Sequence, residues 1–459
     1  MTEQAFKKDF EKVFEVPAEV LEEGIEFVEK EEKIIINKKP FKLAEEYWDT
    51  LGPGLTTGAA DDDPSGIATY SQAGAGYGLQ LIWIALFTYP FMATVQEMCA
   101  RIGVVSGQGL AANIRKHYPA RTLYIVTALL FFANTLNIAA DLGAMAAATR
   151  LLTPAADFGL LVIFFALVSL LLQIFTTYAR YAKYLKYLTL ALLSYAVVAF
   201  AVGLNWGDVL YHTVIPSMTF SRDQIFLICG ILGTTISPYL FFWQTSQEVE
   251  ERILKGEATV EERRAQVNPQ MVKNMRMDVW SGMGFSNLIT FFIFAACAGT
   301  LYAHGITNIA TADQAASALR PFGELAFLLF ALGIVGTGLL AVPVLAGSTA
   351  YALAESFGWK NGLYRKLNQA YAFYGVIILS MLVGIAANFV HLDPIKELIY
   401  AAVANGIIAP IILFFVVRLS SNAHIMGEYK NSKTIARLGW VTIGFMAISG
   451  IAAIATMFF

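Results

Sequence analysis

The chain has 459 residues, of which 57% are hydrophobic and 15% charged, a formal net charge of −3 and a mean hydropathy of +0.57. A soluble domain carries about 25% charged residues, so the composition excludes an ordinary soluble protein and predicts a polytopic helical membrane protein. The slightly acidic balance excludes a nucleic-acid partner, which needs a basic stripe.

Residues 1–46 are hydrophilic, with apolar positions scattered at Phe6, Phe10, Val13, Phe14, Val20, Leu21, Ile25, Phe27 and Val28. That spacing predicts either an amphipathic helix lying on the membrane face or on the protein, or a solvated tail. No apolar h-region marks a cleavable signal peptide. Beyond it, apolar runs of the roughly 20 residues needed to cross a bilayer are predicted at 52–75, 79–104, 122–148, 158–178, 185–204, 225–247, 279–303, 325–353, 370–390, 395–417 and 438–458, eleven in all. Placing the amino terminus in the cytoplasm puts every Lys and Arg on the inner side except Arg150, Arg222, Arg320 and Lys396. The positive-inside rule asks for that asymmetry. The expectation is a plasma-membrane protein with its amino terminus inside and its carboxyl terminus outside. Cys99, Cys229 and Cys297 fall in apolar runs without close spacing, which predicts buried free thiols.

Two spans are interrupted. Asp62-Asp63-Pro64-Ser65-Gly66 lies inside the first, and Gly233-Thr234-Thr235-Ile236-Ser237-Pro238 inside the sixth. An ionised Asp at a helix centre costs about 2.5–3.5 kcal/mol on insertion scales, and proline removes a backbone donor and kinks the helix. Such a break is tolerated only where it faces protein or a watery cavity. Paired breaks in corresponding positions of two halves point to the substrate site of a secondary transporter. With five spans per half the halves run antiparallel. The predicted organisation is therefore a cytosolic segment 1–46, inverted repeats over 47–205 and 206–418, and a final loop and eleventh helix over 419–459.

Asp63 is the first candidate for a cation ligand, since it combines a carboxylate with the negative end of a half-helix dipole. The competing reading is a helix cap. Asp61 and Asp62 line the entrance or cap instead. In the sixth span, Pro238 is expected to leave the carbonyl of Thr234 without its helical partner, and Ser237 to add a hydroxyl or hold a water. Both also suit plain helix packing. With small residues at Ser65, Gly66 and Ser237, such a site offers oxygen donors and room for water. Oxygen donors suit Mg2+ or Ca2+, and Mg2+ keeps several of its waters.

His117, His212, His304, His391 and His424 all fall in loops or at span ends, so none is expected to serve as a ligand or relay at membrane depth. Asp141 in the third span has alanine at residue 144, where a second acid would extend a proton wire. It is read either as a shuttle or as a carboxylate hydrogen-bonded to Asn137 or Thr135. Glu97 and Arg101, four residues apart, form a structural ion pair or an inner gate. Glu248, Glu250 and Glu251 read as a solvated face or an attractor at the inner mouth.

Gly52-Pro53-Gly54 followed by Asp63-Pro64, then Gln96-Glu97-Met98, Ala100-Arg101 and Gly103-Val104-Val105-Ser106-Gly107, resembles the Nramp family of divalent-metal transporters over about residues 50–459. The resemblance implies a LeuT-like five-plus-five inverted repeat with metal held between helices 1 and 6, including at position 66. Three motifs depart from the family's. Its first-helix Asp-Pro-Gly-Asn is Asp63-Pro64-Ser65-Gly66; its sixth-helix Met-Pro-His is Ser237-Pro238-Tyr239; its third-helix Asp-Leu-Ala-Glu is Asp141-Leu142-Gly143-Ala144. These changes are similar to the Nramp-related magnesium transporter branch.

The expected function is import of Mg2+, with Mn2+ as a second substrate, by alternating access and without proton coupling. The alternatives are a proton-coupled Mn2+/Fe2+ symporter and a sodium-coupled symporter for an organic solute. No enzyme chemistry, cofactor or obligate protein partner is expected. The metal ion is substrate, and the lipid bilayer the surroundings.

Overall fold

The computed structural model describes residues 52–176, 190–323, 325–390 and 393–458. The tail expected over 1–46 and His391 lie outside them. The described residues form a helical bundle without strands. In chain order its helices are α1 (Pro53–Asp61), α2 (Pro64–Tyr77), α3 (Trp83–Ser106), α4 (Leu110–His117), α5 (Ala120–Leu152), α6 (Phe158–Phe175), α7 (Leu193–Ala201), α8 (Trp206–Val214) and α9 (Arg222–Thr235). There follow α10 (Pro238–Leu254), α11 (Val260–Ala265), α12 (Pro269–Thr300), α13 (Ala312–Ala316), α14 (Leu325–Phe357), α15 (Tyr371–Ala387), α16 (Pro394–Ser420), α17 (Ala423–Met426) and α18 (Lys433–Phe458).

Among the described residues seven helical stretches are long and apolar enough to span a bilayer, or eight if the pair on either side of the 108° bend between Leu81 and Trp83 counts as one. The eleven expected spans are not reached by this measure, for local reasons. The first is cut into α1 and α2 of 9 and 14 residues. The second passes only together with α2, across that bend. The fifth is described only from Leu190 onward, and the ninth, α15, has 17 residues.

Packing joins helices from the first half of the chain to helices from the second. The middle helix of each half, α5 and α14, pack against each other. In the same way α12 packs on α1 and α2 while α3 packs on α10, and α5 packs on α15 while α14 packs on α6. Close approach depends on missing side chains. A Cβ at Gly54 would lie 2.6 Å from the Val279 nitrogen, and one at Gly58 or Gly282 would run into the facing backbone. Small residues are what lets helices meet this closely in a membrane. Cys99, Cys229 and Cys297 are buried free thiols, as the sequence predicts.

Candidate cation site at the paired helix breaks

Each break has a local cause. A residue before proline is pushed out of the helical region. Asp63 accordingly has φ −69° and ψ 167°, and Pro64 opens α2. Ser237 has φ −79° and ψ 131°, and Pro238 opens α10. The two breaks then resolve their loose backbone groups in opposite ways. Asp63 caps forward: its Oδ1 accepts from the Gly66 amide at 2.7 Å and from the Ser65 hydroxyl at 2.7 Å. Ser237 closes backward, its hydroxyl donating to the Thr234 carbonyl at 2.7 Å and the Gly233 carbonyl at 2.9 Å.

The breaks face one another. A Cβ on Gly66 would sit 2.8 Å from the Thr234 hydroxyl and 3.4 Å from Asp63 Oδ1. The Tyr70 hydroxyl bridges to Thr234 Oγ1 at 3.1 Å and Thr235 Oγ1 at 3.2 Å, tying α2 to α9. From α5, the Asn137 amide donates to Asp63 Oδ2 at 2.7 Å. Tyr239 donates to the Ala60 carbonyl at 3.1 Å, covering one of the carbonyls left open at the end of α1. Losing that hydroxyl leaves a buried acceptor unsatisfied, which costs about 1–3 kcal/mol. Tyr239→Phe is therefore expected to lower the thermal midpoint in detergent by several degrees, while Tyr371→Phe, exposed on α15, leaves it unchanged.

Carboxylates crowd the gap. Asp61, Asp62, Asp63 and Asp141 are each at most 3% exposed. The Ser286 hydroxyl reaches Asp61 Oδ2 at 2.8 Å and Asp62 Oδ1 at 3.0 Å. A hydroxyl has one proton to give, so this pair calls for a further proton or a cation. Asp61 Oδ1 and both oxygens of Asp141 are buried without a hydrogen-bond partner.

Further contacts flank the site along α1 and α2. Asp278 of α12 accepts from the Gly54 and Leu55 amides at 2.6 and 3.0 Å, capping α1 from a neighbouring helix. In α2 the Gln72 side chain donates to the Thr307 carbonyl at 3.0 Å and accepts from the Ile309 amide at 2.8 Å. A cavity of about 10 Å³, bordered by Ile67, Ser71, Ala144, Ala315, Phe330 and Leu398, lies along α2. That is near the lower limit for one water.

Residues 54–456 match the family described as Natural resistance-associated macrophage protein-like. The chain belongs to the Nramp family. It is similar to the "Divalent metal cation transporter MntH" of Klebsiella pneumoniae strain 342, with 26% identity over 86% of this chain and 91% of that one. Its fold is that of the manganese transporter of Eremococcus coleocola, at a TM-score of 0.68 and 19% identity, covering 89% of this chain and 86% of that chain. It also resembles MhsT, solved with L-phenylalanine, at a TM-score of 0.55 and 11% identity, over 89% of this chain and 97% of that one.

Against this Nramp fold the sequence expectations sort clearly. The structure brings together Asp63, Ser65, Gly66 and Thr234, with Ser237 closing the opposite break. Two details need correction. The Thr234 carbonyl is not left open by Pro238, because Ser237 donates to it. Asp141 bonds to neither Asn137 nor Thr135, whose side chains go to Asp63 and the Phe131 carbonyl.

Glu97 and Arg101 are 3.9 Å apart, a loose pair. The close partners of Glu97 are Arg276 at 2.9 Å and the Trp280 indole at 2.9 Å, both on α12, while Arg101 donates to Asn431. Glu248 and Glu250 are buried rather than solvated, held by Gln244 and by Tyr351 with the Leu363 amide. Only Glu251 keeps a surface role, paired with Lys255 at 2.6 Å. Sequence reasoning passed over Tyr70, Thr235, Ser286, Gln72 and Asp278. Of these, Tyr70 alone carried a signal, four residues beyond Gly66 and so on the same helix face.

Proposed function

We propose that this protein imports Mg2+ across the plasma membrane by alternating access, as an uncoupled facilitator that also accepts Mn2+. The observation that carries the reading is the donor set at the breaks. Asp63, Ser65, Thr234, Thr235, Asn137 and Tyr70 offer oxygen and amide groups, with no thioether or imidazole among them. Oxygen sites suit Mg2+. Among the described residues no three His, Cys, Asp or Glu side chains are grouped to clasp a metal. The curated relative's description as a divalent metal cation transporter supports the class.

Tyr239 stands where an ionisable imidazole would allow proton exchange, and it is engaged with the Ala60 carbonyl. Uptake needs no proton gradient, because an inside-negative potential drives each positive charge inward by roughly 2.3 kcal/mol per 100 mV. The repeats over 47–205 and 206–418 would be the bodies that move. With the purified protein in liposomes containing a pH dye, Mg2+ and Mn2+ are expected to enter without internal acidification. Acidification in step with metal entry would replace this reading with a proton-coupled symporter. Absence of metal flux would end both.

A further inference from the structure

We propose that Asn137 is a direct oxygen ligand of the transported cation, its side-chain amide turning over when the ion arrives. The inference rests on the reading that a divalent cation binds at Asp63. A carboxylate oxygen offers about two lone-pair directions. Asp63 Oδ1 has both occupied, by the Ser65 hydroxyl and the Gly66 amide. Oδ2 receives one donor, the Asn137 amide nitrogen at 2.7 Å. An incoming cation therefore meets Oδ2, beside Asn137.

A positive ion there is repelled by the NH2 edge of Asn137 and attracted by its carbonyl. That carbonyl, Asn137 Oδ1, is buried with no partner, in a residue that is 0% exposed. Rotating the amide about its last side-chain bond exchanges nitrogen and oxygen within almost the same volume, along a broad two-fold torsion. It would bring an unused acceptor onto the ion and remove the donor that holds Oδ2 while the site is empty. A neutral amide oxygen is an ordinary ligand for a hard divalent cation. One turn further along α5, both oxygens of Asp141 also lack a partner, so this face of α5 presents acceptors in excess of donors.

The test is the half-saturating Mg2+ concentration for liposome flux in two variants of similar size. Asn137→Leu has neither donor nor acceptor. It is expected to raise that concentration by about 10- to 100-fold, the range seen when a supporting partner at a metal site is lost. Asn137→Asp keeps an acceptor and cannot donate to Asp63. It is expected to stay at or below the wild-type value. If Asn137 only steadies Asp63, the aspartate variant loses as much as the leucine variant, and the proposal is overturned; an unchanged leucine variant also overturns it.

Should Asn137→Asp fail to fold, as judged by size exclusion and thermal melting, Asn137→Ser against Asn137→Ala is the substitute pair. Serine is expected to be several-fold better than alanine, and equality overturns the inference. A wild-type protein that carries neither Mg2+ nor Mn2+ removes the functional reading and this inference together. Wild-type flux with an indifferent Asn137 series removes the inference alone.

Discussion

Asp63→Asn is expected to leave the protein folded and to reduce Mg2+ flux at least about 100-fold, equivalent to about 2.8 kcal/mol. The asparagine variant separates the two roles that Asp63 combines. As a cap, asparagine is equal to aspartate, so it can still accept from the Gly66 amide and the Ser65 hydroxyl, both at 2.7 Å in the wild type. What it lacks is the negative charge that the cation needs. Alanine is the less informative change. It removes the cap, worth about 1 kcal/mol. It also strands the donors of Ser65, Gly66 and Asn137, at about 1–3 kcal/mol for each buried group, so lost transport would be indistinguishable from lost structure. The measurement is metal flux beside a thermal melt. A thermal midpoint within a few degrees of wild type with flux gone assigns Asp63 to the ion. Flux retained in Asp63→Asn would reduce Asp63 to a cap.

The breaks themselves were legible because proline and its preceding residue act locally, within one or two residues of chain. The same holds for the buried free thiols. What the sequence could not show are the partners. Asn137, Tyr70 and Ser286 reach their partners across 74, 164 and 225 residues of chain, and no periodicity in one helix encodes which helix packs opposite.

The Thr234 carbonyl fails for another reason. Proline does remove the backbone donor, but a serine side chain three residues on supplies a replacement. Backbone accounting misses this wherever a hydroxyl lies within a turn. Glu248 and Glu250 look like a solvated charge run only until Gln244, Tyr351 and the Leu363 amide are placed around them.

Gly58→Val is expected to abolish transport by holding the α1 side of the site open. The first half-helix α1 lies flush on α12 because Gly58 and Gly282 meet backbone to backbone, with Gly54 against Val279 above them. A side chain at 58 has no pliable neighbour to displace, since the atoms it meets belong to the Gly282 main chain. Overpacking of this kind costs about 1–3 kcal/mol or more, enough to shift a balanced equilibrium by about 5- to 150-fold. The strain is relieved if α1 leaves α12, which also breaks the two amide bonds to Asp278. A cysteine placed at Ala60, 0% exposed in the closed arrangement, then reports the change. With Cys99, Cys229 and Cys297 replaced by serine, it should resist a water-soluble thiol reagent applied from the cytoplasmic side in the otherwise wild-type protein and react readily beside Gly58→Val. Asp278→Ala should move labelling the same way by a smaller amount, because it removes the cap and leaves the glycine seam intact. Equal protection in all three would mean that contact between α1 and α12 does not gate the site.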